Sequence, residues 1–352
     1  MGIKIKKKTM KAKRSRLSAK DKDRILDLIM SLKRSQIKVF LQSEELAVSG
    51  NKADYRTVLK PRIHGTRAFC DRALEFVDSH IIWGKQHVFL LNSPDSLAGR
   101  WQDEAWVGRH FRKNKLDHLR NQRTPLVLPK DWELASITAT RDTVSALAVK
   151  RHEYTERSKD LDFEEQTDAA SKIFYRAYVE HTTRQWVRFE WDLRTNAAML
   201  QIGQLHGREK YKDVRSEITE LLSDWIDLAT FDDVNLANAI KRIDDACALG
   251  EEEFRLQHID FKTINGRHLS ATSKDAQSPV HGDTALDAAL KEMKRSGVGH
   301  LGNVWWLKQD DGPLDRDFHL FIVAEHQRIN ITRAHTEGQV RHVLQRLRSL
   351  SI

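Results

Sequence analysis

From Trp186 to Arg194 apolar and charged side chains alternate without a break, with Val187, Phe189, Trp191 and Leu193 on one side and Arg188, Glu190, Asp192 and Arg194 on the other. A period of two belongs to a strand with one buried face, so this stretch commits the chain to a sheet. Thr195-Asn196 turns it into a partner over 198–204. A second hairpin joins 254–263 to 268–272 through Asn265-Gly266, a pair that accepts the positive φ angles of a tight turn. Further strands are predicted at 87–91, 304–308, 317–324 and 328–332, the third buried on both sides because Phe318, Leu320 and Ile322 alternate with Phe321 and Val323. Helical spacing predicts helices at 66–79, 97–120, 211–229, 232–248, 284–294 and 337–350. Phe69, Leu74, Phe76 and Val77 mark the inward face of the first of these, with Cys70 as a small core residue. Hairpins interspersed with helices define an α+β fold around a largely antiparallel sheet.

The chain has 352 residues, 40% of them hydrophobic, which is enough for two or three packed domains. Only 6 Pro and 16 Gly exclude collagen-like and linker-like classes. Two cysteines, Cys70 and Cys247, cannot build a disulfide framework and form no Cys-x-x-Cys pair, so a reducing compartment is expected. No apolar run is long enough to cross a bilayer, and the basic N-terminus leads into no signal-peptide core. The expected location is cytoplasmic or nucleoid-associated, nuclear in a eukaryote, without a membrane partner.

Net charge is +9, and it is concentrated at one end. Residues 1–24 carry 11 Lys and Arg against two Asp; residues 1–63 carry 18 basic against 6 acidic side chains, and the remainder is slightly acidic. Lys6, Lys7, Lys8, Lys11, Lys13, Arg14 and Arg16 repel one another and have few apolar neighbours, so residues 1–24 read as a disordered, solvated arm suited to a polyanion. Lys and Arg that neutralise phosphates release condensed counterions, which gives strong, salt-sensitive and sequence-indifferent binding.

Residues 25–63 follow as a small module. Ile37, Phe40 and Leu41, then Tyr55, Val58 and Leu59, recur at helical spacing on either side of an extended loop holding Leu46 and Val48. Ser49-Gly50-Asn51 supplies a turn and a capping oxygen for a helix starting near Lys52, and Pro61 is expected to close that helix. Leu41, Leu46, Ser49-Gly50, Lys52, Tyr55 and Leu59 together resemble the SAP domain, a helix, extended loop and helix module that binds DNA. Two positions depart from that family: Glu45 stands where glycine is usual before the loop leucine, and Val58 where a basic residue is usual. The resemblance covers about a tenth of the chain and implies duplex DNA as the partner. On physical grounds a helix start at Asn51 and Lys52 offers backbone donors to an anion, and Lys52 and Arg56 share one helical face. Lys33, Arg34, Lys38, Lys60 and Arg62 surround them. Such groups read phosphates rather than base edges, so the expected preference is weak or based on DNA shape.

Beyond the module, residues 64–150 read as mainly helical and 151–352 as the α+β domain, with the charged stretch 150–170 as an exposed helix or linker between them. Trp101, Trp106 and Phe111 interleave with Arg100, Arg109, Arg112, Lys113, Lys115 and Arg120, a pattern that serves either a stacking surface for nucleic acid or a core with a solvated face. No phosphate-cradling Gly-rich loop, metal-binding motif or nucleophile elbow is present, and no cofactor or metal is implied. His319 and His326 flank a strand end without a carboxylate or cysteine nearby. Asp260-Phe261-Lys262 places an acid and a lysine on one strand face, the second half of a metal-dependent nuclease pattern, with Asp244 and Asp245 on the preceding helix. Trp305 and Trp306 must face opposite ways on a strand, which suits two half-buried core indoles, or one indole in the core and the other exposed toward a protein partner. The sequence therefore supports a non-enzymatic protein that grips duplex DNA and uses its body as an organising or partner-binding domain. The rival readings are a nuclease acting through Asp260 and Lys262, and a scaffold or RNA-binding protein.

Overall fold

The computed structural model describes residues 17–124, 127–167, 171–263, 265–275 and 277–352. The chain divides into two compact units, Met1–His80 and Ile81–Ile352.

In the first unit, α1 (Ala19–Ser31), α2 (Arg34–Ser43), α3 (Lys52–Gly65) and α4 (Arg67–Ile81) follow one another. Residues 19–24, read from sequence as part of the arm, are the first turns of α1. Ser18 caps α1 by accepting from the Asp21 amide at 3.1 Å while the Asp21 carboxylate accepts from the Ser18 amide. Ile25, Leu26 and Ile29 then bury an apolar stripe. α3 also runs past its expected end. Pro61 lies inside the helix with its ring exposed, and the helix continues past it to bury Ile63 one turn above Leu59. α4 buries Phe69, Cys70, Leu74 and Val77 as its spacing predicts, whereas Phe76, also expected inward, is half-buried; Phe40 of α2 meets Phe69 and Phe76 with ring centroids 5.7 and 4.8 Å away.

The second unit contains β1 (Gln86–Asn92), α5 (Asp95–Gln102), α6 (Glu104–Lys113), β2 (Gln122–Arg123), β3 (Glu133–Ala139), β4 (Thr143–Arg157), β5 (Phe163–Gln166) and β6 (Lys172–Tyr175). It continues with β7 (Tyr178–Asp192), β8 (Ala197–Gly203), α7 (Tyr211–Leu222), β9 (Asp232–Asp233), α8 (Leu236–Ala248), β10 (Phe254–Thr263) and β11 (His268–Thr272). The last elements are α9 (Thr284–Ser296), β12 (Gly297–Trp306), β13 (Phe318–Val323), β14 (Arg328–Ile331) and α10 (Glu337–Ser351). Among the described residues twelve strands form one sheet in the order β11-β10-β12-β13-β14-β1-β8-β7-β4-β3-β2, with β9 added on β1, and β5 pairs with β6 apart from it. The strand pairings are antiparallel, as expected for an α+β fold.

The sheet carries its two main cores on opposite faces. On one, α8, α9 and α10 contribute Ile240, Ile243, Leu290, Val343 and Leu347 against Val304, Leu320, Ile329, Val88 and Leu90. On the other, α5, α6 and α7 contribute Trp101, Phe111 and Ile218 against Phe89, Leu91, Leu200, Phe189 and Trp191. Successive residues of β1 thus serve different cores, which is why this strand is apolar throughout rather than alternating. The consequence is that β12, β13 and β14 bury only one face. Phe318, Leu320 and Ile322 are buried while His319, Phe321 and Val323 stay half-exposed, so the expected two-sided burial of this strand is not found.

The division expected at residue 150 falls in the middle of β4, and the mainly helical region expected before it contains β1, β3 and half of that strand. β4 and β7 continue past Lys150↔Gln185 as a two-stranded ribbon to Arg157↔Tyr178, crowned by β5 and β6. Charge density there does not oppose pairing, because opposite charges are paired in and beside the ribbon: Arg151 lies 3.2 Å from Glu153, and Arg157 2.6 Å from Asp162. The predicted helix at 97–120 is broken at Asp103, whose carboxylate caps the amides of Ala105 and Trp106 to start α6. The Asn265-Gly266 hairpin forms as expected, with Gly266 at φ 77°.

Candidate nucleic-acid interface

The loop between α2 and α3 is held by three contacts. The Leu46 amide donates to the Leu41 carbonyl at 2.8 Å, the Tyr55 hydroxyl to the Val48 carbonyl at 3.0 Å, and the Arg34 guanidinium to the Gly50 carbonyl at 2.6 Å. Glu45 bends the chain into this loop in the left-handed region, at φ 55°. That is the position at which the SAP family usually has glycine, and the backbone takes a conformation glycine favours without the glycine.

The start of α3 differs from its expected role. Asn51 accepts from the amides of Ala53 at 2.7 Å and Asp54 at 3.3 Å, and the Asp54 carboxylate accepts from the Asn51 amide at 2.7 Å. A carboxylate of the protein itself therefore sits at this helix start, and the donors expected to greet a phosphate are largely taken. Lys52 and Arg56 share a face as expected, but that face is turned on α1. Lys52 donates to the Met30 carbonyl at 2.9 Å, Arg56 pairs with Asp27 at 2.8 Å, and two turns further along α3 His64 meets Asp23 at 2.9 Å. Arg34 is occupied with Gly50.

Lys33, Lys60 and Arg62 are exposed and Lys38 half-exposed, and none has a carboxylate partner among the described residues. Ser49 and Gly50 are exposed in the loop. Lys6, Lys7, Lys8, Lys11, Lys13, Arg14 and Arg16 lie outside the described residues. Sequence reasoning missed α1, although Ser18 followed three residues later by Asp21 is a helix-start signature ahead of Ile25, Leu26 and Ile29.

In the second unit two of the three aromatics of α5 and α6 are core: Trp101 and Phe111 are 2% and 0% exposed, while Trp106 is half-exposed and stacks on His110, and Arg120 pairs with Glu104. Asp260 and Lys262 do share a strand face. Asp260 faces His258 at 3.1 Å, whereas Asp244 and Asp245 are bound elsewhere: Asp244 to His281 and Lys294, Asp245 to Lys294. No second acid is thus brought to Asp260, and among the described residues no group of three or more His, Cys, Asp or Glu is placed to hold a metal ion. His319 is bonded to Asn303 and Thr332, and His326 is exposed in the turn after β13. Trp306 is buried with its indole nitrogen donating to Glu253, and Trp305 is half-exposed on the opposite face. Among the described residues no helix is long and apolar enough to cross a membrane. Compared with known proteins, the chain matches no family model and no curated protein sequence.

Proposed function

We propose that the protein binds duplex DNA through phosphate contacts made by the basic stretch before residue 17 and by the cations that α2 and α3 leave without partners. The observation that carries this reading is the separation between spent and unspent charge. Lys52, Arg56 and Arg34 hold the helices together, while Lys33, Lys38, Lys60 and Arg62 answer no carboxylate among the described residues. Eight further Lys and Arg precede residue 17 with no acid among them. An uncompensated set of this kind is suited to a polyanion and carries little sequence information. The helix, extended loop and helix order, with Glu45 in the left-handed conformation before Leu46, supports likeness to a SAP domain. The larger α+β unit then serves to organise the bound DNA or to receive a protein partner.

The working cations of the module are accordingly Lys33, Lys60 and Arg62, not Lys52 and Arg56. Replacing the three with glutamine in the full chain tests this by gel retardation of a duplex. A loss of about tenfold or more at moderate salt is expected. Undiminished retention of the duplex would contradict the assignment.

A further inference from the structure

We propose that the uncovered face of the sheet at β12, β13 and β14 binds single-stranded nucleic acid, bases stacked on its aromatic row and phosphates held by its arginines. The site stands on residues of the second unit alone and goes beyond the duplex reading.

The topology creates the face. On β13 and β14 every second residue packs toward α8 and α10, and the residues between them are half-exposed. The helices α5, α6 and α7, which cover this side of the sheet, pack on β1, β8, β7 and β4 instead. A two-layer arrangement with one bare sheet surface is what remains, and a bare surface of Thr and Lys would need no explanation.

This one is aromatic. Trp305 of β12 and His319 of β13, directly opposite in register, stack with ring centroids 4.3 Å apart and planes 27° apart. Phe321, two residues along β13, meets His319 edge to face at 5.0 Å. The row is fixed in place: the His319 ring is bonded at 2.6 Å to Asn303 and at 3.0 Å to Thr332, and the Trp305 indole donates to Gln257 at 3.1 Å. Burial pushes His319 down to about 4, so the ring is neutral near pH 7 and behaves as an aromatic surface rather than a cation.

Arginines surround the row with little acidic compensation. The guanidiniums of Arg255 and Arg333 lie 5.7 Å from the Trp305 ring, and Arg328 lies 5.1 Å from the Tyr211 ring at the border with α7. Arg333 and Arg328 have no carboxylate partner among the described residues, and the carboxylate nearest Arg255 is Asp317 at 3.8 Å. The Nε of Arg255 and of Arg328 are buried without a hydrogen-bond partner. Asp260, paired with His258, is the acid on β10 at the edge of this face.

Aromatic rings and guanidiniums interleaved on a sheet surface match the two chemistries of an unpaired strand, π faces and phosphates. A duplex hides its base faces and would meet only the cations, and an apolar peptide would leave the arginines unmatched. Beside the rings the Asn303 amide donates to Gln257 Oε1 at 3.4 Å, which leaves the Gln257 NH2 group to meet a base edge.

The test uses the full chain and strands of about 16 nucleotides, DNA and RNA, with 5-iodouracil replacing thymine or uracil, irradiated and mapped by peptide. Crosslinks to the peptides bearing Trp305 or Phe321 are expected with at least one of the two strands, which also decides between them. Phe321→Ala and the exposed-site change Arg333→Glu should each weaken strand binding about tenfold and leave duplex binding unchanged. Crosslinks confined to peptides before residue 81, or unaltered strand affinity in both variants, would overturn the proposal without touching the duplex assignment.

Discussion

The ammonium of Lys52 lies 2.9 Å from the carbonyl oxygen of Met30, closing the C-terminal turn of α1 with the first residue of α3. A cation at a helix C-terminus satisfies an orphan carbonyl and faces the negative end of the helix dipole. Lys52→Gln is therefore expected to lower the stability of the first unit by about 0.5–1.5 kcal/mol in a urea titration, with little change in duplex affinity. Lys60→Gln should do the reverse.

Glu45 at φ 55° pays a conformational cost that glycine would not. Its side chain is exposed, so no packing is lost on removing it. Glu45→Gly should raise stability by about 0.5–1 kcal/mol, and Glu45→Val should lower it by more. Denaturant midpoints at unchanged m-value measure both.

How much of this was legible in the sequence follows from how local each determinant is. The strand at Trp186, the turn at Gly266 and the inward face of α4 are written in consecutive residues, and all three form as read. α1 was hidden because Lys20-Asp21-Lys22-Asp23-Arg24 extends the charge of the preceding stretch over the start of an apolar stripe. The two-faced sheet was hidden because it depends on which helices cover which strands. The site fared worst: Lys52 and Met30 are 22 residues apart, and Arg56 and Asp27 are 29 apart, so no local pattern tells a spent cation from a free one.

Asp244 is fully buried and holds His281 at 2.9 Å and Lys294, tying α8 to the loop before α9 and to α9 itself. Removing the carboxylate takes the shared partner from Lys294 and His281, leaving the first with Asp245 alone and the second with Asp287 alone. Asp244→Ala should cost on the order of 3–5 kcal/mol by chemical denaturation.

His281 donates from both ring nitrogens, to Asp244 and, at 2.8 Å, to Asp287, and these hydrogen bonds raise its pKa above the ordinary value against the opposing effect of burial. Its contribution to stability is complete below about pH 6.5, the unfolded value, and is lost as pH rises through the folded one. His87 behaves oppositely. Burial, and then Arg328, push it down to about 3, so its contribution is complete above about pH 6.5 and falls away between there and pH 3. Thermal melts of His281→Asn should lose the alkaline decline of the wild type while keeping the acid one.

Gly299 of β12 faces α8 so closely that a Cβ would sit 2.7 Å from Ile240 Cβ and 2.8 Å from the Ala237 carbonyl oxygen. Backbone cannot yield there as a flexible side chain could. Gly299→Ala should destabilise by about 1–3 kcal/mol, read as a lower melting temperature.

The central claim concerns unspent cations, and the slope of log K against log salt for a duplex measures them directly by fluorescence anisotropy. Wild-type binding should fall steeply as salt rises, and each of Lys33→Gln, Lys60→Gln and Arg62→Gln should flatten the slope by about 0.9, with Arg56→Gln changing it little. A slope that stays the same in the three variants, or duplex binding indifferent to salt, would contradict the account.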